Sequence, residues 1–335
     1  MSIQTGRIFI LGAGFSAGAG IPLTNKLLPE AVRLFRKEAP GLLSRVEGYA
    51  DQIDVDLVGS PDAKDFARLC TYLDFVELRE HAGGERWSDQ GSRERMALKF
   101  FLAKAIASST PALPNIPDYY KHFASKLTSD DIVLTFNWDT LLEMTLRREG
   151  LPYSYGFEDD HLDIMKMHGS VHWIQGQPTT MGTGGKSFGF QPIGYSTEMQ
   201  PTEIYTSDAL ENSDKWDQAH CLTGEVKPLL VLPGYGKTND LRLLSTLWYR
   251  PEFLNIRQGG ISIIGLSVSE DDYIVDSLFR YLFRGVFSPE RKIRIINPDA
   301  NASKKFKALA ATDTTLEIVE KNFDSGTVPF SLHEN

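Results

Sequence analysis

Cysteine is nearly missing from this chain: Cys70 and Cys221 are the two present in 335 residues, far apart and with no C-x-x-C pair. That scarcity excludes a disulfide framework and a four-cysteine zinc site, and it fits a reducing compartment. Long basic runs are also lacking, since no stretch of Lys or Arg exceeds two residues and the formal net charge is −9. Direct, salt-dependent binding to a nucleic-acid backbone is therefore disfavoured. The longest apolar runs, such as Pro228–Pro233 and Ile261–Leu266, are strand-sized and far below the roughly 20 residues that cross a bilayer. No basic segment followed by an apolar stretch opens the chain, so no secretory signal and no membrane span are expected, and a cytoplasmic protein is. Hydrophobic residues make up 41% and charged residues 24%, which is too apolar for disorder.

The most informative segment is Arg7–Pro22, RIFILGAGFSAGAGIP, where an apolar strand empties into a glycine loop that opens a helix. Gly12, Gly14 and Ala17 fit G-x-G-x-x-G/A, in which the first glycine permits the tight turn and the third position needs a small residue. The second glycine lets backbone approach a pyrophosphate, so Gly14→Val is expected to remove nucleotide binding and leave most of the fold. The helix start would face the phosphates with free N–H groups. A glycine-rich turn that binds nothing is the competing explanation.

Helical periodicity follows, with Phe66, Leu69, Cys70 and Leu73 at i, i+3, i+4, i+7 and Leu98, Phe101, Leu102 and Ala105 repeating it. Residues 28–126 read as a mostly helical insertion. Strand character returns at Asp131–Thr135, then a helix over Thr140–Arg148 with Thr140 and Glu143 as a capping box. Ile164–His168 reads as a strand, Gln175–Ser196 as a mobile loop or lid. Leu229–Leu232, Ile261–Leu266 and Ile293–Ile296 are apolar on both faces and predict a buried parallel sheet. The expected class is α/β, a Rossmann-like, doubly wound parallel sheet of six-stranded type with a helical insertion and a smaller loop-rich module. Its core would comprise residues 1–27, 127–174 and 222–330, with 175–221 as the small module.

Polar residues stand immediately beyond three of these strands, at Phe136–Asp139, His168–Ser170 and Gly265–Ser267, where open α/β sheets gather ligands. Together with the first loop they resemble the sirtuin superfamily. GAGFSAGAGIP is similar to its phosphate loop, TFNWD (135–139) to its Thr-Gln-Asn-Ile-Asp segment, and KMHG (166–169) to its His-Gly segment. IIGLS (263–267) is similar to the later Gly-x-Ser strand and IINP (295–298) to the segment that receives the adenosine half. The resemblance is nearest to divergent bacterial sirtuin-like NAD hydrolases used in antiphage defence. It departs from the deacylases in having no four-cysteine module, in Leu23, Thr24 and Asn25 after Pro22, and in Phe136 in place of a glutamine.

The resemblance implies NAD as a substrate, cleaved at its nicotinamide–ribose bond to nicotinamide and ADP-ribose. Asn137 and His168 would carry turnover. Gly12, Ala13, Gly14, Ser16, Gly20, Ile21 and Pro22 would line the phosphates, Asp139 the carboxamide, Gly265 and Ser267 the later strand end, and Asn297 the adenosine. No metal is expected, because Gly169 and Val171 argue against the helix that would align His168 with His172. The defence resemblance also implies a homo-oligomer, or control by a translocase ATPase or a nucleic-acid-sensing partner; separately, the insertion is expected to govern assembly, since amphipathic helices such as Asp65–Glu80 offer large faces and none of the matched motifs lies there. A protein deacylase and a sensor that binds NAD or ADP-ribose without turnover are the alternatives. More ordinary roles exist too: His168 as a core histidine satisfied by backbone, and Asp139 or Ser16 as helix caps. Gly236-Lys237-Thr238 reads as a polar loop, since the first glycine of a P-loop would fall at Val231. Purified protein is expected to carry no stoichiometric zinc; elemental analysis that finds it would favour the deacylase.

Overall fold

The computed structural model describes residues 6–57, 59, 61–82, 92–155, 158–175, 182–183, 186–187, 191–195, 203–211, 227–234, 237, 240–241, 244, 260–268, 272–284, 292–310 and 315–327. Its centre is a sheet of seven parallel strands in the order β13-β12-β11-β1-β2-β4-β3. The strands are β1 (Ile8–Leu11), β2 (Ile132–Thr135), β3 (Tyr153–Ser154), β4 (Leu162–Lys166), β11 (Ile261–Ile264), β12 (Lys292–Ile296) and β13 (Thr315–Val319). The doubly wound class is as expected; the seventh strand is a difference, and neither β3, only two residues long, nor β13 was read from the sequence.

Alternation along the strands explains why helices cover both faces. Phe9, Leu11, Val133, Ile164, Ile264 and Ile296 enter one core with Tyr120 and Phe123 of α6 (Asp118–Ala124) and Leu141, Leu142 and Leu146 of α7 (Leu141–Glu149). Ile8, Ile10, Ile132, Leu134, Ile263 and Ile295 enter the opposite core with Phe279 and Leu282 of α8 (Tyr273–Arg284) and Phe306 of α9 (Ala300–Leu309). Period-two burial on both faces is what a central parallel sheet requires.

Helices α2 (Thr24–Glu38), α3 (Pro40–Asp51), α4 (Ala63–Ala82) and α5 (Ser92–Ser109) share a third core in which Phe35 and Phe101 stack at 4.2 Å. Phe66, Leu69, Cys70 and Leu73 are all buried there, as their spacing predicts. Within the expected insertion α6 behaves differently, because its apolar side chains join the sheet core instead.

Two expectations are corrected. Leu229–Leu232 does not join the parallel sheet: β10 (Lys227–Leu230) pairs antiparallel with β5 (Gly169–Gln175) in a second sheet ordered β10-β5-β9-β8. Its double-faced apolarity arises from packing between the second sheet and the insertion core, where Leu230 and Leu232 lie, with Leu229 and Val231 facing the other way. The stretch read as a mobile loop contributes β8 (Gln191–Tyr195) to that sheet, beside β9 (Glu203–Thr206), and β6 (Gly182–Thr183) pairs with β7 (Lys186–Ser187). The rest of Gln175–Ser196 beyond Gln175 lies outside the described residues. Gly169 turns the chain between sheets with φ +76°, and a Cβ there would stand 2.0 Å from the Leu229 carbonyl oxygen.

Helical backbone at Lys237, Asp240, Leu241 and Leu244 replaces the polar loop expected near Gly236, which itself lies outside the described residues together with Thr238. Asp240 is buried and accepts from Arg95 (2.5 Å) and Lys99 (3.1 Å) of α5. Asp240→Ala would leave the buried Lys99 ammonium without its carboxylate, while Arg95 keeps Asp74 at 2.5 Å, a change expected to cost about 3–5 kcal/mol. Urea denaturation measures it; a loss below about 1 kcal/mol would mean that the Lys99 ammonium reaches solvent.

Candidate functional site

The chain crosses from one side of β1 to the other between β2 and β11, so the switch point of the sheet lies beyond the carboxyl ends of β1 and β11. The Gly12 N–H donates to Ile264 O (3.0 Å), and the Gly14 N–H to Gly265 O (2.8 Å). A Cβ on Gly12 would stand 2.5 Å from Leu266 Cα, one on Gly14 2.7 Å from Gly265 Cα, and one on Gly265, at φ +62°, 2.3 Å from Gly14 C. All three glycines are thus required for backbone to meet backbone. This corrects the expected reason for Gly14, whose bare face is turned to Gly265.

The helix that opens there, α1, is short, Ala13–Ala17, with Gly12 as N-cap. Ser16 is consequently inside the helix and not its cap. Phe15 N–H donates to Gly12 O at 2.8 Å, while Ala13 is exposed and its N–H meets no protein acceptor among the described residues. Beyond the helix, Gly20 has φ +89° with open space around it, Ile21 is buried in the core beside the sheet, and Pro22 is half-buried.

From β2, Asn137 reaches back to this loop. Its Nδ2 donates to Gly12 O (2.9 Å) and to Ser16 Oγ (3.1 Å), and its N–H donates to Thr135 Oγ1 (3.1 Å). A carbonyl can only accept, so the amide orientation is settled, and with both Nδ2 hydrogens committed the carboxamide presents Oδ1. Ser16 in turn favours the charged form of the nearby Asp139 carboxyl. Asp139 Oδ1 accepts from Leu141 N at 3.0 Å, so Asp139 performs the capping at the start of α7. Thr140, expected to form a capping box with Glu143, makes no side-chain cap bond.

Glu143 is occupied differently: buried Lys166 donates to it (2.8 Å) and to Asp139 O (2.6 Å), and Tyr155 OH donates to its Oε1 at 3.2 Å. Burial pushes the Asp139 carboxyl above its ordinary range, with the Lys166 charge, the Leu141 amide and Ser16 pulling the other way.

Two histidines lie close in sequence and differ in kind. His172, on β5, is the satisfied core histidine, with Tyr155 OH at 3.0 Å and Ser170 Oγ at 3.2 Å. Burial and the Lys166 charge hold it well below the usual imidazole range. His168 lies two residues past the end of β4, in the turn, and its backbone oxygen accepts from Trp138 Nε1 (3.0 Å) and Val231 N (2.9 Å). Its ring, half-buried and edge-on to Phe136 at 5.1 Å, has no hydrogen-bond partner among the described residues. Desolvation and the Lys237 charge, opposed by Asp272, push it down to about 4.

Lys237 was read from the sequence as part of a polar loop, and Asp272 went unnoticed. Lys237 is buried and its Nζ pairs with Asp272 Oδ1. The i, i+4, i+7 spacing of Lys237, Leu241 and Leu244 was the available signal of a helix. Asn297 bonds to backbone on both sides: Nδ2 donates to Leu266 O (2.7 Å) and Oδ1 accepts from Asp299 N (2.9 Å). Ser267 is exposed. Gly12, Gly14, Ser16, Asn137, Asp139 and Gly265 are therefore joined in one contiguous group, with His168 at the neighbouring strand end and Asn297 bracing Leu266 from the next. Among the described residues no cluster of His, Cys, Asp or Glu could hold a metal ion.

The fold is thus a doubly wound α/β sheet whose polar groups gather at the switch point. Among solved structures the chain is similar to Sir2Tm bound to a propionylated peptide, at 13% identity and a TM-score of 0.38, covering 95% of this chain and 88% of that one. It is similar also to a structure described as the structural basis of sirtuin substrate affinity, at 12% identity and a TM-score of 0.37, covering 95% and 89%. No protein-family model and no curated protein matches the sequence.

Gly14→Val is expected to destabilise the protein by about 1–3 kcal/mol through overpacking against Gly265, beyond any loss of binding. Thermal unfolding tests this, and an unchanged melting temperature would mean that the loop moves aside freely.

Proposed function

We propose that the chain is a sirtuin-like NAD hydrolase that breaks the nicotinamide–ribose bond. The observation that carries the reading is Asn137, locked by Gly12 O and Ser16 Oγ so that Oδ1 remains as an acceptor at the sheet edge. The ordered motifs from Gly12 to Pro298 supply the substrate class through their resemblance.

Nicotinamide leaves a cationic substrate, taking the electron pair of the broken C–N bond, so no general acid is required. The ribose carbon becomes oxocarbenium-like, and what the site must supply is positioned acceptors. Asn137 Oδ1 would accept from the attacking water or a ribose hydroxyl. Water adds to the ribose carbon, and an uncharged His168 takes its proton, giving ADP-ribose. Asp139, held through Ser16, would face the nicotinamide carboxamide; the Ala13 N–H is suited to a phosphate oxygen, with Gly20–Pro22 alongside. Gly265, Ser267 and Asn297 would border the adenosine half. The resemblance extends the proposal to an antiphage effector in the cytoplasm, held off by self-association, a translocase ATPase or a nucleic-acid-sensing partner.

NAD turnover is measured with and without an acetylated peptide: release of nicotinamide and ADP-ribose without peptide supports the hydrolase, and strict dependence on peptide favours a deacylase. Asn137→Ala and His168→Ala should still bind NAD by calorimetry, because their interactions are made chiefly in the transition state. Turnover in His168→Ala should fall at least about 10²- to 10⁴-fold. Parental turnover in either variant would sink the assignment, and NAD binding without cleavage by the parent would make the protein a sensor.

A further inference from the structure

We infer that Trp138 is a positioning residue for His168: its indole N–H and its carbonyl together strap the turn that carries the imidazole to the end of β2, beside Asn137. The inference rests on the hydrolase reading above and deepens it.

His168 stands where the chain leaves one sheet for another. Met167 and His168 alone connect β4 of the parallel sheet to β5 of the second sheet, and Gly169, at φ +76°, turns the chain just after them. Met167 N still continues the pairing with β2, donating to Thr135 O at 2.8 Å. One residue further on, His168 is past the ladder, and its backbone must find other partners.

Trp138 takes over at that point. Its Nε1 donates to His168 O (3.0 Å), and its own carbonyl accepts from Val171 N (2.9 Å) and Ser170 Oγ (3.2 Å). With Val231 N also donating to His168 O at 2.9 Å, both lone pairs of that oxygen are used. The indole is half-buried and packs on the insertion core, so its N–H is aimed in one direction. Phe136 bounds the imidazole from another side, edge-on at 5.1 Å. Phe136 and Trp138 flank Asn137, whose carboxamide is itself fixed by Gly12 O and Ser16 Oγ. One strand end thus sets both the acceptor Oδ1 and the backbone from which the imidazole projects. Isoleucine stands at the place of Trp138 in the family segment that TFNWD resembles, and it has no side-chain donor, so the indole bond is not part of that resemblance.

Trp138→Phe keeps an apolar ring and the carbonyl and removes the donor. In this variant kcat for NAD should fall roughly 10- to 10²-fold with KM little changed, as expected when a reacting group is displaced by about 1 Å. Because the indole acts through His168, adding Trp138→Phe to His168→Ala should lower the remaining turnover by less than about twofold. A merely structural role would multiply the two losses. Without NAD, the His168 ring signals, followed by NMR of ring-labelled histidine and assigned with His168→Gln, should move in Trp138→Phe. Those of His172, whose partners Tyr155 and Ser170 are untouched, should stay in place. If Trp138→Phe does not fold, replacing Trp138 by benzothienylalanine, which has sulfur where indole has N–H, carries the same expectations.

Parental kcat in the folded variant, multiplied losses in the double variant, or unmoved His168 signals overturns the inference, and NAD cleavage by the parent then leaves the hydrolase reading intact. Signals that move as expected in a protein that never cleaves NAD leave the strap standing and overturn the hydrolase reading, and with it the catalytic use given to the strap.

Discussion

Backbone touching backbone at the switch point is the constraint on which the rest is built. Gly12 and Gly14 can lie against Gly265 and Leu266 only because none of the three glycines carries a Cβ. The bond from Gly14 N to Gly265 O then ties the first loop to the far half of the sheet. With that contact made, α1 starts in register, Ser16 falls under Asn137, and the polar end of β2 is drawn toward β1. A side chain at any of these glycines would push the two halves apart before it met a ligand.

The site is continuous with a polar interior. Asn137 donates to Ser16, which stands near Asp139, and Lys166 joins Asp139 O to Glu143, which continues through Tyr155 to His172 and Ser170. Low dielectric makes each bond in such a chain strong and each missing one expensive. Glu143 and Lys166 are each about 1% exposed, so removing either would leave a charge buried without its partner. Rigidity of the sheet edge follows from these bonds, although Glu143 Oε2 has no partner among the described residues, and so does the fixed direction of Asn137 Oδ1.

What could be read from the sequence was whatever depended on local pattern. Apolar runs ending in Gly12, Asn137 and Gly265 announced the strands and the edge where they gather, because a buried parallel strand must be apolar on both faces. Leu229–Leu232 has the same local pattern and took another course, since double-faced burial also arises where a second sheet meets a helical core. Thr140 looked like a cap, and Asp139 took that role through a bond that depends on the backbone turn after β2. Lys237, read as part of a polar loop, is buried instead because it pairs with Asp272, which is distant in sequence, and no periodicity reports a partner of that kind.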